Sequence, residues 1–184
     1  MNILSILRQN PVIYAARNDE AVMKAVKSRA GVIFLLKTDL FSAERSVALA
    51  HQSGKAVFVH VDLMDGLGRD EIALRYVAEV IKPDGIITTK AQVVKTAKSL
   101  GLKTVFRAFL VDSQGLETAM HTASKLDTDF VEIMPGVIPS AIKRFSDRGV
   151  NLIAGGLIAS RSDVDLALSS GALAVSTSAE EIFA

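Results

Sequence analysis

Eleven residues of this chain have side chains or backbones suited to chemistry, and each lies just after a short β-branched run: Arg17, Lys37, His60, Asp62, Lys90, Arg107, Glu132, Gly155, Gly156, Ser176 and Thr177. The stretch His60-Val61-Asp62-Leu63-Met64-Asp65-Gly66 places an imidazole and two carboxylates together. With Glu132 these are possible ligands for Mg²⁺ or Mn²⁺, or an acid/base pair. No ligand spacing is enforced, and hydrogen bonding to ligand hydroxyls accounts for the same residues, so the reading adopted has no metal and no cofactor. Lys90, after Ile86-Ile87-Thr88-Thr89, has the place of a Schiff-base lysine and equally of a countercharge to phosphate, the commoner use at a barrel mouth. Ala154-Gly155-Gly156-Leu157 and Ser176-Thr177-Ser178 offer close backbone approach and hydroxyl donors, which suits a phosphate; a tight turn and a helix cap are the alternatives. His51 and His121 fall within helical patterns and receive no role.

The runs that must carry these residues are VIYAA, GVIFLL, AVFVHV, GIITT, KTVFRAF, FVEIMP, NLIAGG and ALAVSTS. Each is apolar on both faces and is followed by a helical pattern, as for parallel strands covered by helices. Most runs begin at glycine (Gly31, Gly54, Gly85, Gly101, Gly149, Gly171), which predicts left-handed helix ends before each strand. Asn18 and Ser160 read as helix caps, and Ser178 with Glu181 as a capping box. The expected fold is α/β, a compact TIM-type (β/α) barrel of seven or eight parallel strands formed by residues 1–184 as a single domain. The chain is short for this architecture, so the first and last strands are the ones expected to be irregular. Function in such barrels sits at the carboxyl ends of the strands, where the eleven residues cluster. Alternation gives Phe58, His60 and Asp62 one parity, as it does Val105, Arg107 and Phe109, and Phe130, Glu132 and Met134. Arg107 and Glu132 can then meet inside the barrel as a charge-assisted pair, serving either the core or a ligand.

Composition narrows the function classes. The 184 residues are 49% apolar and contain no cysteine, which excludes disulfides, thiol catalysis and thiolate metal sites and points to the cytoplasm. The start, MNILSILRQNPVIYAARN, has no basic region or small-residue cleavage site, and no apolar run reaches membrane-spanning length, so neither export nor membrane anchoring is expected. A net charge of +1 shows no overall basic bias toward nucleic acid.

Taken in order, HVDLMDGL (60–67), GIITTK (85–90), RAFLVDSQG (107–115), EIMPG (132–136) and IAGGLI (153–158) resemble the GlpP family, the glycerol-3-phosphate-responsive antiterminators of bacterial glycerol operons. The likeness runs from about Asn10 to the final STSAEEIF. It implies a barrel that binds glycerol 3-phosphate and then the leader mRNA of a glycerol-utilisation operon, preventing a terminator hairpin from stopping transcription. Under that resemblance Gly155, Gly156, Ser176 and Thr177 hold the phosphate, with Gly136 as the fallback. His60, Asp62, Lys90, Arg107 and Glu132 line the glycerol end. RNA contacts are then expected on helix faces bearing Lys24 and Lys27, Lys95 and Lys98, or Lys143, Arg144 and Arg148. No catalytic residue is expected, and homo-oligomerisation is left open. The competing expectation is a phosphodiesterase or aldolase acting on a small phosphorylated three-carbon compound through Glu132, His60 or Lys90.

Overall fold

The computed structural model of the chain describes residues 2–183. All eight runs form strands: β1 (Val12–Ala16), β2 (Val32–Leu35), β3 (Ala56–His60), β4 (Gly85–Thr88), β5 (Lys103–Phe109), β6 (Phe130–Met134), β7 (Leu152–Gly155) and β8 (Ala174–Thr177). They are parallel and close in sequential order into a barrel. The first and last strands, expected to be weakest, are regular and seal it through the pairs Val12 with Val175, Ile13 with Ser176 and Tyr14 with Thr177. Eight closed strands with interleaved helices make this a TIM-type barrel.

An unanticipated helix, α1 (Ile3–Gln9), precedes β1. Helices α2 (Asp19–Lys27), α3 (Leu40–Gln52), α4 (Glu71–Tyr76, continued by a wider π turn over Val77–Ile81), α5 (Ala91–Ser99), α6 (Ser113–Lys125), α7 (Pro139–Ser146) and α8 (Arg161–Ser169) follow β1 to β7 in turn. Asn18 and Ser160 cap α2 and α8 as the sequence indicates, the second within a full capping box closed by Asp163. The Ser178–Glu181 box does not form. Only a 3₁₀ turn, Glu180–Ile182, follows β8, and Ala179 N–H there donates to Thr177 Oγ1. The glycines divide as well: Gly54, Gly101, Gly149 and Gly171 are left-handed, whereas Gly31 and Gly85 are not. At Gly85 the constraint is space, since a Cβ would lie 2.6 Å from the Phe58 ring.

Alternation splits the core in two. Ile13, Val32, Phe34, Ala56, Phe58, Ile87, Val105, Phe130, Ile153 and Ala174 fill the barrel with Ile3 and Leu7 of α1, so α1 plugs its amino-terminal end. Phe58 meets Phe34 and Phe130 edge-on, with centroids 5.7 and 6.1 Å apart. The opposite parity (for example Tyr14, Ile33, Val57, Val131, Leu152 and Val175) packs outward on the helices. The interior is therefore apolar from α1 upward and changes character only in its last layer, at the carboxyl ends. No helix among the described residues is long and apolar enough to cross a membrane.

Candidate functional site

That last layer holds buried polar side chains from four strands. Strand register makes Arg107 and Glu132 partners on β5 and β6, and Arg107 Nε donates to Glu132 Oε2 at 2.6 Å. Ser176 on β8 donates from Oγ to Glu132 Oε1 at 2.5 Å. Glu132 is fully buried and Arg107 is 5% exposed, so this is a dry ion pair whose geometry is tied down at both carboxylate oxygens. Gly155 on β7 completes the layer. A Cβ there would lie 2.6 Å from Ser176 Oγ and would strike Glu132 Oε1, so only glycine leaves room for the network. His60 reaches the same interior from the end of β3 and is 3% exposed. Burial, and then the nearby Arg107 charge, push its imidazole down to about 4 against the pull of Asp62, so it is neutral at pH 7.

Two atoms of this layer stand apart: His60 Nδ1 and Arg107 Nη2 are buried and have no hydrogen-bond partner among the described residues. Leaving a buried polar group unmade costs about 1–3 kcal/mol, more when it is charged. Two such groups in one layer, beside a carboxylate satisfied at both oxygens, are the polar atoms of the barrel interior left without a partner among the described residues.

The nine expected site residues do not form one cluster. His60, Arg107, Glu132, Gly155 and Ser176 share the barrel interior. Asp62 leaves it, because a 3₁₀ turn over Val61–Leu63 breaks the alternation that gave Asp62 the parity of His60. It accepts instead from Thr88 Oγ1 (2.9 Å), Thr89 N–H (2.7 Å) and Thr89 Oγ1 (2.9 Å). Burial alone would raise the Asp62 carboxyl, but those donors outweigh it and hold it below the usual carboxylate range. Lys90 is half exposed, its Nζ 3.7 Å from Asp62 Oδ1, which is the setting of a countercharge and not the dry pocket of a nucleophilic amine. Both residues line a neighbouring cavity of about 570 Å³ with Lys37, Asp65 and Arg69. Met64 and Asp65 on its wall pair with Thr38 and Asp39 in a two-residue ladder too short to leave a sequence signal. Among the described residues no three His, Asp or Glu side chains assemble as a metal-binding group.

The loops after β7 and β8 are locked together. Thr177 faces outward, and its hydroxyl donates to Ile158 O at 2.7 Å. Gly136 N–H donates to Gly156 O at 3.1 Å. Gly156 and Leu157 are both left-handed, at φ +73° and +61°, a backbone that Leu157 adopts at a cost of roughly 1–2 kcal/mol. The start of α8 is already taken: Asp163 accepts from Ala159 N–H and Ser160 N–H, placing a carboxylate where a helix-bound phosphate would otherwise sit. An anion near this loop therefore depends on the β7 and β8 segments themselves and not on the α8 dipole.

Comparison with known proteins agrees with the fold and shows the family. Residues 12–183 match the family described as "Glycerol-3-phosphate responsive antiterminator". A crystal structure of the glycerol uptake operon antiterminator regulatory protein from Listeria monocytogenes is 31% identical, covers 92% of each chain and superposes with a TM-score of 0.87. A glycerol uptake operon antiterminator-related protein from Thermotoga maritima is 30% identical over 94% of this chain and 96% of its own, with a TM-score of 0.83. The Escherichia coli K12 protein named "Uncharacterized protein YgcP" is 33% identical over 96% of this chain and 93% of its own. Deoxyribose phosphate aldolase from Aeropyrum pernix, at 18% identity and a TM-score of 0.72, shares the barrel alone.

Proposed function

The chain belongs to the glycerol-3-phosphate responsive antiterminators, and from that premise we propose that it is a cytoplasmic regulator that binds glycerol 3-phosphate at the barrel mouth and leader mRNA of a glycerol-utilisation operon elsewhere on its surface. The observation that carries the ligand half is the pair of buried, unpartnered groups, His60 Nδ1 and Arg107 Nη2, above the Glu132–Ser176 bond. A triol phosphate supplies what they lack. Its hydroxyls meet the neutral imidazole and the free guanidinium nitrogen, with Glu132 orienting Arg107. Its phosphate lies against the backbone of Gly155 and Gly156 beside Ser176 and the Thr177 main chain. Asp62 and Lys90 form the outer edge of the glycerol end, Lys90 as a distant countercharge.

This is a binding site and not a reaction centre. Glu132 is held at both oxygens, Asp62 accepts three hydrogen bonds, and Lys90 is exposed, so no carboxylate or amine there is free to act; His60 alone is an uncommitted base, and burial holds its imidazole down to about 4, which leaves it a weak proton acceptor. Regulation then follows from linkage. A ligand that completes the top layer stabilises one arrangement of the barrel, and any RNA surface that differs between arrangements is biased by it.

Thermal denaturation tests the ligand half. At a hundredfold excess over its dissociation constant, glycerol 3-phosphate stabilises the fold by about 2.7 kcal/mol, and glycerol or inorganic phosphate at the same concentration by much less. Gly156→Val, which crowds the backbone approach, weakens the effect. Equal shifts from glycerol and glycerol 3-phosphate would remove the phosphate from this site.

A further inference from the structure

The net charge of +1 conceals a partial sorting along the barrel axis. The first turns of α2, α4 and α8, at the mouth, carry Asp19, Glu20, Glu71 and Asp163, and the last turns of α2 to α7 carry bases at the opposite end. The helix-face cations singled out by spacing are mostly consumed: Lys24 pairs with Glu20 and Glu180, Lys98 with Asp127 and Asp129, Lys143 with Asp147 and Arg144 with Glu117. Cations without an ion-pair partner among the described residues stand at the mouth, as Arg17, Lys37 and Arg69, and in a second group at the amino-terminal end of the barrel. Arg8 at the end of α1, Lys27 and Arg29 around the turn into β2, Lys55 before β3 and Lys82 before β4 occupy adjacent segments. None has a carboxylate within ion-pair distance among the described residues. Helix-dipole compensation accounts for Arg8 and Lys27, and for Lys82 as the residue that closes the turn after α4, but not for Arg29 and Lys55, which lie in loops.

The loops are also held in place. Asn10 Nδ2 donates to Arg29 O at 2.6 Å, Lys55 Nζ to Ser28 O at 2.8 Å, and Ala56 N–H to Gly31 O at 3.0 Å. Main-chain carbonyls thus fix the Arg29 turn while its guanidinium stays free in solvent. Fixed, unpaired cations along one edge are what a phosphodiester backbone requires, because each contact releases counterions without first breaking an ion pair. Resting on the RNA-binding reading above, we infer that this basic arc, on the face opposite the ligand mouth, is the surface that docks the RNA backbone. Ligand and RNA then occupy opposite ends of one barrel, joined by the packed column that runs from His60 and Arg107 through Phe58 and Phe130 to Leu7 of α1. They communicate through that column and do not compete for space.

The test titrates fluorescent leader RNA of a glycerol-utilisation operon, with saturating glycerol 3-phosphate, against three proteins over a salt series. They are the wild type, the triple variant Arg8→Gln/Arg29→Gln/Lys82→Gln, and the mouth variant Arg17→Gln/Lys37→Gln/Arg69→Gln. All substituted side chains are exposed, so folding is preserved and is checked by the ligand-induced thermal shift. The expected result is at least a tenfold loss of RNA affinity in the first triple variant, with a salt slope shallower by about 2, from about 0.7 per phosphate contact on single strands. The ligand shift stays intact and the mouth variant binds RNA as the wild type does. An arc variant that binds RNA with wild-type affinity and slope overturns the arc while leaving the antiterminator reading in place. A wild type that binds glycerol 3-phosphate but no RNA overturns that reading, and the arc with it.

Discussion

Replacing Gly155 by alanine adds one methyl group at the centre of the polar layer. The new Cβ would stand 2.6 Å from Ser176 Oγ and would strike Glu132 Oε1, and neither neighbour is the free end of a flexible side chain, because both are buried and hydrogen-bonded to each other. Overpacking of this kind costs about 1–3 kcal/mol, and losing the charge-assisted Ser176–Glu132 bond adds about 1.5–3 kcal/mol. A total near 4 kcal/mol corresponds to roughly 8–16 °C in melting temperature for a chain of this size. Gly156→Ala is the internal control. Its Cβ would meet only the Met134 side chain at 3.5 Å, an ordinary contact, so its cost is confined to the left-handed backbone, about 1–2 kcal/mol. Scanning calorimetry with and without glycerol 3-phosphate reads both effects, and Gly155→Ala also loses most of the ligand shift. If Gly155→Ala melts with the wild type, or no lower than Gly156→Ala, the packing argument is wrong.

His60 titrates near 4 when folded and near 6.5 when unfolded, so between those values the unfolded chain binds more protons and stability falls as pH drops. About 3 kcal/mol is lost across that window and none above pH 6.5; urea denaturation at a series of pH values should show this slope, and His60→Gln should flatten it. A wild-type profile unchanged in His60→Gln would contradict the assigned burial. Glu132→Leu strands the Arg107 charge and costs about 3–5 kcal/mol, whereas adding Arg107→Met recovers most of that loss; equal stability of the single and double variants in chemical denaturation would show that the pair is not coupled. Thr177→Val removes the bond to Ile158 O and the cap on Ala179 N–H, lowering stability by about 1–3 kcal/mol while calorimetric affinity for glycerol 3-phosphate stays near wild type. A large affinity loss there would place the hydroxyl on the ligand after all.

The barrel was legible because its strands are apolar on both faces and separated by capped helices, and neither signal depends on distant parts of the chain. The Arg107–Glu132 contact was legible too, since two inward residues at the same depth on successive strands must be neighbours. Parity misled at Asp62, where the strand ends one residue earlier than the pattern suggests and a 3₁₀ turn re-aims the side chain. The same rule separates Thr177 from Ser176, since adjacent residues of one strand face opposite ways, and grouping the two as phosphate ligands left it unapplied. The plug made by α1 showed only as a short apolar start, because a seven-residue helix draws its stability from the barrel end it covers. Free cations cannot be told from paired ones by spacing. Lys98 is neutralised by Asp127 and Asp129, some thirty residues along the chain, whereas Arg29 and Lys82 have no such partner among the described residues.

Ligand-gated RNA binding is tested most directly by measuring both halves of one thermodynamic cycle. The dissociation constant for leader RNA is determined with and without saturating glycerol 3-phosphate, and that for glycerol 3-phosphate with and without saturating RNA. Coupling between sites at opposite ends of the barrel requires the two ratios to be equal, and typical couplings of 1–3 kcal/mol predict that each ligand tightens the other by roughly 5- to 150-fold. RNA affinity that is the same with and without glycerol 3-phosphate, in a protein shown to bind both, would contradict the account.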